Sequence, residues 1–144
     1  MISPIDVINA IDDTVEVIVT GDTYNDIKFI KGFIDKETYE KKEDELLTID
    51  DMNNEIKSLN KERDYKINNV VVDNILLNPD NILKMKLAID IYDDIEWIDI
   101  NNNIVLIEKN KALDMIKRAT DIIKNIYIEY RNKKNEVRER YGYS

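Results

Sequence analysis

Short apolar runs separated by turn residues mark the second half of the chain. Residues 70–72 and 75–77 are apolar, and Asp73 and Asn74 between them tolerate the positive φ of a two-residue hairpin turn. A second pair, the alternating segment 96–99 and the apolar run 104–107, flanks three consecutive asparagines at 101–103. The pattern predicts two β-hairpins.

A helical pattern follows each hairpin. Asn78 and Pro79 suit the N-cap and first position of a helix that we expect to reach about residue 92. Its apolar face comprises Ile82, Met85, Ile89 and Tyr92. A longer helix closes the chain with an apolar stripe at Leu113, Ile116, Ile123, Tyr127, Tyr130, Val137 and Tyr141. Residues 65–144 are therefore predicted to form an α+β domain of hairpin–helix–hairpin–helix order, with helices on one face of a small antiparallel sheet.

The first 34 residues predict a smaller α/β docking region. Ser3 and Pro4 suit the start of a short helix. Residues 15–20 are mostly β-branched, residues 21–26 supply turn chemistry, and residues 27–30 suit a returning strand. We expect a short helix followed by a β-hairpin.

A charged segment, residues 35–64, connects these regions and predicts a long central helix that Asp35 caps. Thr48 is a second candidate cap, at which a new helix could begin. Its apolar stripe has the a/d spacing of a short coiled coil and comprises Ile49, Met52, Ile56 and Leu59. Two heptads are fewer than the three or four that identify a coiled coil. The stripe is compatible with packing on its own domain and with a mobile linker, but we expect its four residues to bind a partner or a second copy of the chain.

An acidic composition narrows the range of partners. The 144 residues carry a formal net charge of −9 and a pI near 4.6, and this sign repels phosphate backbones and anionic lipid. We therefore expect neither nucleic acid nor a membrane as a partner. No signal-peptide pattern and no membrane-spanning run is present in the sequence, so we expect a cytoplasmic protein unless a particle carries it out.

The residues that commonly carry catalysis are scarce. The chain has no histidine and no cysteine, and its three glycines are too dispersed to form a phosphate-binding loop. Residues 99–103 resemble the start of a calcium loop, but Ile104 and Asn110 stand where that loop needs Gly and Glu. The carboxylates around residues 93–99 are explained by a solvated loop, and they do not require a catalytic site. We expect no enzymatic activity, no cofactor and no metal.

Trp97 is the single tryptophan and suits either a partner contact or an anchor between hairpin and helix. We favour the anchor, and the structural anchors that we expect are Trp97, Leu106, Ile116 and Ile123. The basic end of the chain, residues 131–140, suits contact with an acidic partner or with the protein's own acidic body, but we favour complementation of the helix dipole.

Several segments of the second half of the chain follow one another in a recognisable order. They are Arg63-Asp64, residues 70–77, Asn78-Pro79-Asp80, residues 84–91, Trp97-Ile98-Asp99-Ile100-Asn101-Asn102, Val105-Leu106 and residues 112–140. In these segments, from about residue 63 to residue 141, the chain resembles a domain-of-unknown-function family of phage tail and tail-fibre-associated proteins. The resemblance implies a tail-associated role and brings no catalytic residues with it.

Together these features predict a non-enzymatic accessory protein of a phage-type tail. It would bind a tail, baseplate or tail-fibre protein, as a virion component or as a fibre-assembly chaperone in the host cytoplasm. The alternative is an acidic intracellular interaction or inhibitor protein unrelated to tails.

Overall fold

The computed structural model describes residues 2–143, which contain four α-helices and six β-strands. The helices are Pro4–Ile11 (α1), Lys36–Asn68 (α2), Pro79–Ile91 (α3) and Lys109–Arg140 (α4). The strands are Glu16–Val19 (β1), Ile27–Lys31 (β2), Val71–Val72 (β3), Ile75–Leu76 (β4), Asp94–Ile98 (β5) and Ile104–Glu108 (β6). The predicted α+β class and order of elements are confirmed.

The described residues divide into two compact units. The first contains the chain up to Glu55 together with Arg140–Tyr143, and the second contains Ile56–Glu139. The contacts thus divide α2 between two units, whereas the sequence pattern treats residues 35–64 as a region of their own. No helix among the described residues is both long and apolar enough to cross a membrane.

In the first unit, α1 begins with reciprocal capping. The Ser3 side chain accepts from the Asp6 backbone N–H, and the Asp6 carboxylate accepts from the Ser3 backbone N–H. β1 and β2 form an antiparallel hairpin. The core of this unit comprises Val7, Ile8, Ile34 and Tyr39, with half-buried side chains packed around it.

The central helix α2 starts where the sequence predicts. Asp35 accepts hydrogen bonds from the Thr38 backbone N–H at 3.1 Å and from its hydroxyl at 2.7 Å. The helix then runs without interruption through Thr48, a second candidate cap. The Thr48 hydroxyl donates to the carbonyl of Asp44 at 2.9 Å, so this residue stays in the helix interior.

In the second unit, each predicted hairpin forms its own two-stranded sheet. Asp73 and Asn74 have φ values of 50° and 62°, as a two-residue turn of this kind requires. A backbone hydrogen bond from Ile100 N–H to Asn74 C=O, 2.8 Å long, joins the turns of the two hairpins. The two hairpins do not share one sheet, in contrast to the single small sheet expected from the sequence.

α3 and α4 complete the second unit. Asn78 caps α3 by accepting from the Asn81 backbone N–H at 2.9 Å. The predicted buried face is confirmed at Ile82, Met85 and Ile89, while Tyr92 lies just beyond the helix and is exposed. The core combines residues of both hairpins, α3 and the first part of α4.

Candidate protein-binding surfaces

The stripe predicted to bind a partner lies along α2 and is largely covered. Met52 is buried, and Ile49, Ile56 and Leu59 are half-buried. Within the second unit, Leu59 lines a narrow cleft together with Ile126 of α4. The contact at Leu59 is intramolecular, which corresponds to the alternative in which the central helix packs on its own domain.

A tyrosine fixes the contact between α2 and α4 in the second unit. The Tyr130 hydroxyl donates a hydrogen bond to Asn60 Oδ1. The guanidinium carbon of Arg63 lies 4.5 Å from the centre of the Tyr130 ring, a cation–π geometry. Arg63 and Tyr130 also line the cleft, and these contacts give the helix pair a defined register.

Ion pairs extend the same contact. Lys133 Nζ lies 3.4 Å from Glu62 Oε1 and 3.1 Å from a carboxylate oxygen of Glu129. A hydrogen bond from Lys66, together with the positive charges of Lys133 and Lys66, holds the pKa of the Glu62 carboxyl below its usual value. All four side chains are partly solvated, so these pairs contribute more to register than to stability.

The basic end of the chain also contacts its own acidic residues. In the first unit, Arg140 Nη1 lies 3.0 Å from Glu55 Oε1. Hydrogen bonds from Tyr141 and then Arg140 lower the pKa of the Glu55 carboxyl. Three roles were predicted for the basic end. The ion pair between Arg140 and Glu55 agrees with one of them, contact with the protein's own acidic residues.

Three of the four predicted structural anchors pack on the core of the second unit. Ile116 is buried, and Trp97 and Ile123 are half-buried against the core cluster. Leu106 is 69% exposed, so its assignment as an anchor is wrong. Its neighbour Val105 pairs with Trp97 and faces the core, and alternation along β6 therefore turns Leu106 outward.

The carboxylates around residues 93–99 serve the hairpin. Asp99 Oδ1 accepts from the backbone N–H groups of Asn101 and Asn103, both at 2.9 Å, and this closes the turn. Asp94 and Glu96 lie on the outward side of β5 and are exposed. Among residues 2–143, no group of three acidic side chains is placed to hold a metal ion.

The outward side of the second hairpin is apolar near its turn and acidic at its base. We call this surface the hairpin face; its cross-strand pairs are Ile98–Ile104, Glu96–Leu106 and Asp94–Glu108. Ile104 is 72% exposed, and Ile98 is also largely exposed. Ile98, Ile104 and Leu106 thus form a contiguous exposed apolar patch on one side of the hairpin. Such a patch, unlike single exposed apolar residues, indicates a contact surface.

A second exposed apolar surface lies on α3. Leu83 and Leu87 are each 57% exposed, and Ile91 is 74% exposed. The spacing of four places these residues in one row, which we call the α3 ridge. It lies outside the face that Ile82, Met85 and Ile89 bury.

The middle of α4 carries a shallow groove whose charged side chains are positive, opposite in sign to the carboxylates of the hairpin face. We call it the α4 groove; it is lined by Ile123, Lys124, Tyr127, Ile128, Tyr130 and Arg131. Tyr127 and Ile128 are exposed. Neither Lys124 nor Arg131 has a carboxylate at ion-pair distance among the described residues, so both charges are available to a partner.

The sequence contains a signal for these surfaces. Residues 104–107 are an uninterrupted apolar run, although a hairpin covered on one face needs apolar residues only at alternate positions. α3 likewise has Leu83 and Leu87 beyond the stripe that a half-buried helix requires. The excess apolar residues indicate additional contact surfaces.

Comparison with protein-family models finds no match. Comparisons with curated proteins and with solved structures find none either.

Proposed function

We propose that the chain is a non-enzymatic accessory protein of a phage-type tail, which binds a tail, baseplate or tail-fibre protein. It acts as a virion component or as a fibre-assembly chaperone, and it is made in the cytoplasm of the bacterial host. The tail context rests on the family resemblance over residues 63–141. That range includes α3, the β5–β6 hairpin and α4.

The observation that carries the binding role is the α3 ridge. Leu83, Leu87 and Ile91 lie in solvent while the opposite face of the same helix is buried. Rows of side chains four residues apart are the ridges that one helix inserts between the side chains of another. The ridge therefore fits a helix of the partner protein better than it fits a small ligand.

The decisive experiment is mass spectrometry of tail particles purified from the strain that encodes the chain. Detection at a fixed ratio to the tail proteins supports a virion component. Recovery with a fibre protein in cell extracts, but not in finished particles, supports a chaperone. Absence from both fractions contradicts the proposed function.

A ridge variant tests the surface itself. Leu83→Gln with Leu87→Gln keeps good helix formers on α3 while removing the apolar row, and we expect it to abolish recovery with the tail protein. Lys84→Gln with Lys86→Gln is the matched control, since both lysines are exposed on the same helix. Equal recovery of both variants would show that the ridge is not the binding surface.

A further inference from the structure

Two surfaces of the second unit, the hairpin face and the α4 groove, have complementary chemistry. We propose that copies of this chain associate head to tail, with the hairpin face of one copy on the α4 groove of the next. The proposal goes beyond the tail-binding role, because it uses different surfaces from the α3 ridge.

The hairpin face and the α4 groove carry charges of opposite sign. The hairpin face contributes three carboxylates, those of Asp94, Glu96 and Glu108, and none has an ion-pair partner among the described residues. The α4 groove contributes Lys124 and Arg131, likewise without such partners. A contact between the two surfaces would bring unpaired charges of opposite sign together.

The apolar parts match as well. Ile98, Ile104 and Leu106 form the apolar half of the hairpin face, and Tyr127 with Ile128 forms the exposed apolar part of the groove. Covering aliphatic and aromatic side chains at the centre of a contact, with charges at its edge, is the usual anatomy of a protein interface. A nucleic acid or an anionic membrane would satisfy the groove's charges but not the hairpin's.

The two surfaces also agree in length. The strand segment from Asp94 to Ile98 is about 14 Å long at roughly 3.4 Å per residue. The helical segment from Ile123 to Arg131 is about 12 Å long at roughly 1.5 Å per residue. One hairpin therefore covers about one groove.

The partner of each surface must come from another molecule. Both surfaces are exposed in the second unit, so they do not cover each other within it. Because the two surfaces differ, the contact is heterologous, and repeated contacts produce a ring or a filament. The net charge of −9 opposes encounter between copies, but salt at physiological strength screens charges beyond about 8 Å.

The test is sedimentation velocity over a concentration series, and we expect the wild type to form dimers and larger species as concentration rises. A hairpin variant, Ile104→Thr with Leu106→Thr, keeps strand-forming residues, and a groove variant, Tyr127→Gln with Ile128→Gln, keeps helix formers. We expect either variant alone to weaken association by about tenfold or more. Circular dichroism checks that both variants remain folded.

Mixing the two variants distinguishes a head-to-tail contact from a symmetric one. Each variant retains one intact surface, so the mixture should form a one-to-one dimer with nearly wild-type affinity and nothing larger. The control is Ile18→Thr with Ile30→Thr on the first hairpin, where both side chains are exposed, and it should associate like the wild type.

Three results would overturn the proposal. They are a wild type that stays monomeric at every concentration, variants that associate as well as the wild type, and a mixture that remains monomeric. The ridge variant keeps this test separate from the tail-binding role. If Leu83→Gln with Leu87→Gln loses the tail protein but still forms larger species, both inferences stand. If it keeps the tail protein, only the tail-binding role of the ridge is contradicted; if it no longer forms larger species, only the head-to-tail contact is contradicted.

Discussion

The two units differ in how completely they enclose their cores. Among the described residues, the second unit has thirteen buried core residues, drawn from both hairpins, α3 and α4. The first unit has four, and the apolar residues around them are only half-buried. An eight-residue helix, one two-stranded hairpin and the first part of α2 supply less covering surface than two hairpins, α3, most of α4 and the rest of α2.

The cores also differ in chemistry. The core of the second unit consists of aliphatic and methionine side chains. In the first unit, Tyr39 is buried and its ring lies 5.4 Å from that of Tyr24, which in turn contacts Phe29. The Tyr39 hydroxyl is buried without a hydrogen-bond partner among the described residues.

The difference in core size predicts that stability is not evenly distributed along the chain. The stabilising free energy of a core scales with the apolar area removed from water. We therefore expect the second unit to be the more stable one, which lets it expose apolar surfaces without unfolding.

The largest effect should come from Met85→Ala in the second core. Met85 is fully buried, and truncation should lower the free energy of unfolding by about 2–5 kcal/mol. Hydrogen exchange should accelerate in α3 with little change in α1. Ile8→Ala, equally buried in the first unit, should produce the reverse pattern. Uniform acceleration in both variants would mean that the two cores do not open separately.

Trp97→Ala should have the next largest effect. Trp97 packs on the second core but is only half-buried, so we expect a loss of about 2 kcal/mol, below the roughly 3–5 kcal/mol typical of a buried aromatic residue. Urea unfolding followed by far-UV circular dichroism measures this. Unchanged stability with loss of a partner would reassign Trp97 to a binding surface.

Tyr39→Phe should show that the first core contains an unfavourable polar group. Removing a buried, unpaired hydroxyl should leave the free energy of unfolding unchanged or raise it by up to about 1 kcal/mol. Burial, followed by the negative charge of Glu43 and a side-chain contact with the same carboxylate, raises the pKa of Tyr39, so this hydroxyl stays neutral in the physiological range. That contact does not have the geometry of a hydrogen bond. Tyr24→Phe is the matched control, because the Tyr24 hydroxyl donates to the carbonyl of Ile34 at 2.6 Å and its removal should destabilise. Equal destabilisation by both changes would contradict the expectation.

The smallest effect should come from Asp73→Asn. Arg118 binds Asp73 in a two-bond fork of 3.2 and 2.5 Å, and this hydrogen-bonded charge lowers the pKa of the Asp73 carboxyl. Because the native pKa lies below the ordinary value of 3.8, the stabilisation is complete above pH 3.8 and disappears as the pH falls through the lowered native pKa. The pair is partly exposed, so we expect only a small shift of the urea midpoint.

Urea unfolding of Asp73→Asn and of the wild type at a series of pH values tests whether the carboxylate charge causes the difference in stability. The difference from the wild type should be constant from neutral pH to about pH 4 and should shrink only below it. Asp90→Asn, at an exposed position on α3, should show no comparable difference. A difference that persists at the lowest pH would show that the carboxylate charge is not its origin.

Local chemistry made much of the fold predictable. Asp73 and Asn74 tolerate positive φ, Asn78 and Asp35 accept hydrogen bonds from the first helical turn, and each was identified without any knowledge of distant contacts. The continuity of α2 was harder to predict, because Thr48 suits a cap as well as a helix interior. Its hydroxyl bonds the Asp44 carbonyl in the uninterrupted helix.

The positions of the strands, turns and helices could be read from local sequence, because turns, caps and periodicity depend on neighbouring residues. Which apolar residues are covered depends on contacts between distant elements. Alternation shows that Val105 and Leu106 lie on opposite sides of β6, but both are apolar, so it cannot say which side meets the core. Trp97 pairs with Val105 and packs on that core, and this contact between strands leaves Leu106 in solvent.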